Sequence, residues 1–134
     1  MLTPQAPSPD RPLVLVIDDS EDNRRIYAAG LAWSGFRVEE AEDATSGIER
    51  ARSIMPEVIV MDLAMPGMDG VEATRILKGD ASTRSIGIVA LTAYGAPSLR
   101  ERARAAGADF YVTKPCIPAE LAVHVHECIR RRRR

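Results

Sequence analysis

Residues 13–20 read LVLVIDDS. Five consecutive aliphatic residues are too few for a helix, and with no polar residue alternating among them they predict a strand covered on both faces. Two acids and a serine follow at once. Ser20 suits the N-cap of a helix, because its hydroxyl can accept from a backbone N–H of the first turn. A buried strand that ends in carboxylates and opens a helix is the connection from which parallel α/β sheets are built.

The same grammar recurs along the chain. Strands are predicted at Leu13–Ile17, Phe36–Glu40, Val58–Met61, Ile86–Leu91 and Asp109–Val112. The first, third and fourth are almost continuous Val, Ile, Leu and Met, whereas the second alternates (Phe36, Val38, Glu40) and suits a sheet edge. Helical periodicity fills the gaps. Ile26, Ala29, Gly30 and Trp33 lie at i, i+3, i+4, i+7 and are predicted to face the core from a first helix that Gly35 stops. A second helix, from about Asp43, places Ala44, Gly47, Ile48, Ala51 and Met55 on one face and ends at Pro56. A third covers Val71–Lys78. A fourth opens at Pro97, turns Leu99, Ala103 and Ala106 inward and closes at Gly107, and the last begins at Pro118 and buries Leu121, Val125 and Cys128. Five such units imply an α/β fold, a doubly wound five-stranded parallel sheet.

At 134 residues the chain fits one domain. The expected division is a disordered N-terminal tail over residues 1–11, where MLTPQAPSPDR holds three of the nine prolines, a domain over 12–129, and a basic tail over 130–134. The net charge of −1 hides an asymmetry: five of the 18 basic residues are Arg130–Arg134, which leaves 13 against 19 acidic residues, or −6, before them. An acidic body disfavours a surface that tracks phosphates, so no direct nucleic-acid binding is expected. The arginines favour the negative end of the last helix's dipole. A solvated tail, an anionic-surface contact and the start of a linker are three further readings of them. No apolar run approaches the roughly 18 residues of a membrane span, residues 1–12 show no secretory signal, and two cysteines make no disulfide framework; a cytoplasmic protein is expected.

In open α/β sheets, ligands bind beyond the carboxyl ends of the strands. The sequence places Asp18 and Asp19, Asp62, Thr92 and Lys114 there. Three converging carboxylates repel unless a cation intervenes, so the set calls for a hard divalent ion and for Lys114 as a fixed positive charge. Oxygen donors without nearby Cys or His favour Mg2+ (or Mn2+) over Zn2+. A carboxylate can attack phosphorus where metal and lysine neutralise the transferring oxygens. Asp62, alone at the central strand's end, is the candidate nucleophile, and Asp18 with Asp19 is a pair suited to metal. Singly, acids after strands are more often caps and turn formers. The four equipped strand ends together point to chemistry.

Taken together, VLVIDDS at 14–20, VIVMDLAMPGMDG at 58–70, VALTA at 89–93 and YVTKP at 111–115 resemble the receiver domain of bacterial two-component response regulators. The resemblance covers residues 12–129, with spacings of 44 residues from Asp18 to Asp62, 30 on to Thr92 and 22 on to Lys114. It implies a flavodoxin-like (βα)5 fold with strand order 2-1-3-4-5. It implies that Asp62 accepts a phosphoryl group from a sensor histidine kinase or a histidine phosphotransfer protein. Asp19 and Asp62 would ligate Mg2+ directly, Asp18 largely through water, and the backbone carbonyl of Ala64 would complete the protein ligands. Lys114 would pair with Asp62 and then with the phosphoryl oxygens. Thr92 would swing inward to the phosphoryl group, Tyr111 would follow, and the surface of the fourth helix, fifth strand and fifth helix would change with them, switching partner binding. The Lys114–Pro115 bond would be cis. The expected molecule is a stand-alone regulator, a monomer or weak dimer.

Ala64 and Tyr94 fall at the two positions that tune phosphoryl lifetime in this family. A methyl group cannot orient an attacking water and a phenol ring can crowd its approach, so slow self-dephosphorylation is expected. Gly87 stands where the family often has Pro, and is expected to loosen the start of strand four. Taken alone, Tyr111 reads as a core aromatic and Cys116 as a small buried hydrophobe. His124 and His126 diverge on a helix and make no chelating pair. An enzyme alternative is a Mg2+-dependent phosphatase or phosphotransferase with an Asp nucleophile. Haloacid dehalogenase-like enzymes, however, need a second Asp where this chain has Ala64. No Gly-rich phosphate loop follows strand one. A pseudo-receiver that binds partners independently of phosphorylation would not need the full acid, Thr and Lys set. The expectation is therefore a phosphoacceptor that catalyses its own phosphorylation and dephosphorylation, not an enzyme acting on other substrates.

Overall fold

A computed structural model describes residues 10–93 and 97–133. The expectations for Tyr94 and for residues 1–9 of the N-terminal tail fall outside the described residues. Strands and helices alternate as β1 (Leu13–Ile17), α1 (Glu21–Trp33), β2 (Arg37–Ala41), α2 (Ala44–Ile54), β3 (Val58–Asp62), α3 (Gly70–Gly79), β4 (Gly87–Ala93), α4 (Pro97–Ala106), β5 (Phe110–Lys114) and α5 (Pro118–Arg132). The strands pair in parallel in the order β2-β1-β3-β4-β5, so the alternating strand does stand at an edge.

Successive strand side chains point to opposite faces, and this divides the interior into two cores. Leu15, Ile17, Ile59, Met61, Ile88 and Ala90 pack against α2, α3 and α4. Val14, Val16, Val58, Val60, Val89, Leu91 and Val112 pack against α1 and α5. Both faces are dry, which is why the central strands need no polar alternation. The Ser20 cap is the one the sequence suggests, its Oγ accepting from the Asn23 N–H at 3.3 Å; α2 is capped by the Asp43 carboxylate, which accepts from the Ser46 N–H at 2.8 Å.

The first helix is turned differently from expectation. Tyr27, Ala28 and Leu31 are buried, while Ile26 and Trp33 are 55% and 62% exposed. Both stripes satisfy helical spacing, and packing between helices chooses one. A Cβ at Gly30 would lie 2.1 Å from Cβ of Pro118, so the first turn of α5 rests on Gly30 and turns Tyr27 and Leu31 toward the sheet. Met55 is likewise exposed, because it caps α2 in the left-handed conformation (φ 47°) instead of continuing the buried face.

The C-terminal arginines begin inside α5, which runs through Arg132. The Arg132 Nε–H donates to the Ser85 carbonyl at 2.7 Å, Glu57 pairs with both Arg132 and Arg133, and the Arg131 guanidinium lies 4.8 Å over the Phe110 ring. Gly87 makes this docking possible. A Cβ there would meet Cys128 Sγ at 2.5 Å and Arg132 Cδ at 2.8 Å, so the glycine admits α5 close to β4.

Candidate functional site

Each strand delivers its polar residue to the same sheet edge, and alternation sets its direction. Asp62 and Lys114 are the last residues of β3 and β5, in step with Val58, Val60 and Val112 on the α1–α5 side. Thr92 is in step with Ile88 and Ala90 on the opposite side, where Tyr111 also packs. The strands run one or two residues further than the sequence suggested, so Asp62, Thr92 and Lys114 sit on rigid ladder positions instead of in loops.

Asp18, Asp19 and Asp62 each offer a carboxylate oxygen within 4.8 Å of the others. Asp18 is fully buried, Asp62 is 3% exposed, and Asp19 is open to solvent. Lys114 Nζ reaches over them, 3.1 Å from Asp62 Oδ1 and 3.8 Å from Asp18 Oδ2. Backbone donors hold the carboxylates: Ser20 N–H donates to Asp18 Oδ1 at 2.9 Å, and Ala64 N–H to Asp62 Oδ1 at 3.2 Å. Burial raises the carboxyl of Asp18 above its ordinary range. The Ser20 N–H opposes that rise, and the charges of Asp62 and Asp19 add to it against the pull of Lys114.

Two buried side-chain polar atoms among the described residues have no hydrogen-bond partner: Asp18 Oδ2 and Thr92 Oγ1. Such groups cost stability, so a fold that keeps two at one edge is set up for something to meet them. Asp18, Asp19 and Asp62 could together hold a metal ion, and their all-oxygen donor set fits a hard one. Thr92 Oγ1 is a free donor on the far side of β4.

The Lys114–Pro115 bond is cis. Tyr111 is half-buried, with the Arg100 guanidinium of α4 5.2 Å above its ring. Cys116 is half-buried and Cys128 buried, both free thiols. The two histidines part as expected: His126 is on the surface against Phe36 and His124 is near Phe110. Sequence reasoning missed Arg24. Its Nη1–H donates to the Asp18 carbonyl at 3.0 Å and its Nε–H to Glu40 Oε1 at 3.0 Å. An arginine one turn beyond the N-cap, on the side that meets β2, was the available signal.

The family described as "Response regulator receiver domain" matches residues 14–126. The phosphate regulon transcriptional regulatory protein PhoB of Klebsiella pneumoniae is 36% identical over 118 residues, 88% of this chain and 52% of that protein. The response regulator PleD of Caulobacter vibrioides is 35% identical over 117 residues, 87% of this chain and 26% of that protein. The chain thus spans about half the length of the first of these relatives, and less of the second. Among solved structures, the chemotaxis protein CheY4 of Vibrio cholerae superposes with a TM-score of 0.83 at 27% identity, covering 88% of this chain and 98% of that one. A signal receiver domain of a histidine kinase from Syntrophus aciditrophicus gives 0.82 at 29% identity, covering 89% and 90%. No helix among the described residues is long and apolar enough to cross a membrane.

Proposed function

The chain belongs to the response regulator receiver domains, and on that premise we propose that Asp62 is its phosphoacceptor and that phosphorylation there switches partner binding. The observation that supports this best is the position of Lys114, 3.1 Å from Asp62 Oδ1 and 3.8 Å from an Asp18 oxygen that accepts no hydrogen bond. Asp62 Oδ attacks the phosphorus of a phosphohistidine on a sensor histidine kinase or histidine phosphotransfer protein. The new P–O bond forms as the P–N bond breaks, and the departing imidazole takes up a proton. Lys114 exchanges its pairing with the carboxylate for the transferred oxygens, where its charge is needed most. The Ala64 N–H holds Asp62 in the attacking orientation.

Asp18, Asp19 and Asp62, with the Ala64 carbonyl, would hold Mg2+ or Mn2+, which supplies positive charge against the phosphoryl oxygens. Thr92 Oγ1 then donates to a phosphoryl oxygen, gaining the partner it lacks in the unphosphorylated fold. Its turn inward opens room for Tyr111 beneath α4, so the α4–β5–α5 surface changes and a partner reads the difference. The reducing cytoplasm suits two free thiols.

Incubation with a small acyl-phosphate donor tests this. The expected result is a base-labile phosphoryl label that forms with Mg2+ and not with a chelator. Label of equal amount without divalent metal would contradict the metal-dependent reading.

A further inference from the structure

Asp18 N–H donates to the Ala41 carbonyl at 3.2 Å, but β2 ends at Ala41 and the β1–β3 pairing ends at Ile17 and Met61. The Asp18 carbonyl has therefore passed the end of the sheet ladder. A buried carbonyl without a ladder partner needs another donor. Arg24 supplies it: Nη1–H reaches the Asp18 carbonyl at 3.0 Å, while Nε–H is held by Glu40 Oε1 at 3.0 Å. The arginine side chain is only 12% exposed whereas Glu40 is 38% exposed, so the bridge is withdrawn from water at its Asp18 end and meets solvent where it reaches β2. Ser20 N–H fixes the carboxylate of the same aspartate from the other side at 2.9 Å. Backbone and carboxylate of Asp18 are thereby both set before a cation arrives.

We propose that Arg24, pinned by Glu40, is a positioning residue for divalent-cation binding at Asp18, Asp19 and Asp62. This rests on the metal-dependent phosphoacceptor reading above and adds to it a residue that touches neither metal nor phosphoryl group. The planar fork matters more than the charge. It addresses a carbonyl and a carboxylate in two directions at once, which a single ammonium cannot do. Groups that orient metal ligands from behind typically change affinity about 10-fold to 100-fold when removed.

Titration with Mn2+, following the loss of the free-ion electron paramagnetic resonance signal, measures the effect without any phosphoryl transfer. Arg24→Lys keeps the charge, and is expected to weaken Mn2+ binding about 10-fold. Glu40→Gln keeps a neutral acceptor on a more exposed side chain and is expected to weaken it by a smaller factor. In the double variant the two losses should be less than additive, because both break the same bridge. Arg25→Lys, which alters the surface pair with Glu21, should bind as the unsubstituted chain does. If Arg24→Lys fails to fold, Glu40→Gln carries the test by itself. Mn2+ affinities within twofold of the unsubstituted chain in both variants, or fully additive losses, overturn the role of Arg24 and leave Asp62 phosphorylation standing. No saturable Mn2+ binding by the unsubstituted chain overturns the metal site, and the role of Arg24 with it.

Discussion

Lys114 Nζ lies 3.1 Å from Asp62 Oδ1, bringing the last residue of β5 across β4 to the last residue of β3. With Asp18 Oδ2 at 3.8 Å, this single ammonium is the protein's own counter-charge for two buried carboxylates. Lys114→Gln removes it and leaves the acids facing each other. Urea denaturation in chelator should show a loss of about 1–3 kcal/mol, and Mg2+ should restore part of it. A variant as stable as the parent in chelator would mean that the pair is held apart in solution.

Asp18 gives the opposite effect. Its carboxyl is raised in the fold, by burial first, so the folded state binds its proton more tightly than the unfolded chain does. Stability contributed by this group is therefore present at low pH and is lost as pH rises from the ordinary carboxylate range through the raised value. Asp18→Asn removes that loss. In metal-free buffer the variant should melt higher than the parent at neutral pH, with the gap closing on acidification. The ranking should reverse when Mg2+ is added, because only the parent gains from the ion.

Thr92→Val should behave as a trade of function for stability. The hydroxyl is buried and unpartnered, so an isosteric methyl removes a desolvation cost of about 1 kcal/mol. The melting temperature should rise. Phosphorylation-dependent change at Tyr111, followed by its ring resonances, should be lost in the same variant.

Gly87→Ala places a methyl 2.5 Å from Cys128 Sγ and 2.8 Å from Arg132 Cδ, and should cost about 1–3 kcal/mol of stability. Adding Cys128→Ala should recover part of it. Burial also pushes the Cys128 thiol up to about 11. The folded state thus holds this proton more tightly, and stability falls as pH rises from the ordinary thiol range toward that value. Iodoacetamide at mildly alkaline pH should modify half-buried Cys116 and spare Cys128 until the chain unfolds.

Ala64 is exposed beside Asp62 and offers no side-chain group to orient a water. Once labelled and freed of donor, the chain should lose phosphate over minutes or longer with Mg2+ present. Loss within seconds would assign water activation to another group.

The sheet and the acid cluster were legible because each depends on short-range pattern: an aliphatic run specifies a covered strand, and the residue that follows it must emerge at the sheet edge. The orientation of α1 was not. Ile26–Trp33 and Tyr27–Leu31 both make acceptable stripes, and the choice rests on Pro118 seating against Gly30, 88 residues away in sequence. The arginine run was opaque for the same reason. Its partners Glu57 and Ser85 lie on two different connections and Phe110 opens β5, and Gly87, expected only to loosen β4, is what admits the docking of α5. Arg24 escaped notice because a side chain that supports a ligand from behind leaves no spacing signature of its own.

The central assignment is tested most directly by locating the phosphoryl group. After incubation with a small acyl phosphate and Mg2+, peptide mapping by mass spectrometry should find one phosphoryl group, on the peptide containing Asp62, and none in Asp62→Asn. Equal labelling of Asp62→Asn, or a label confined to another residue, would contradict the assignment of Asp62 as the phosphoacceptor.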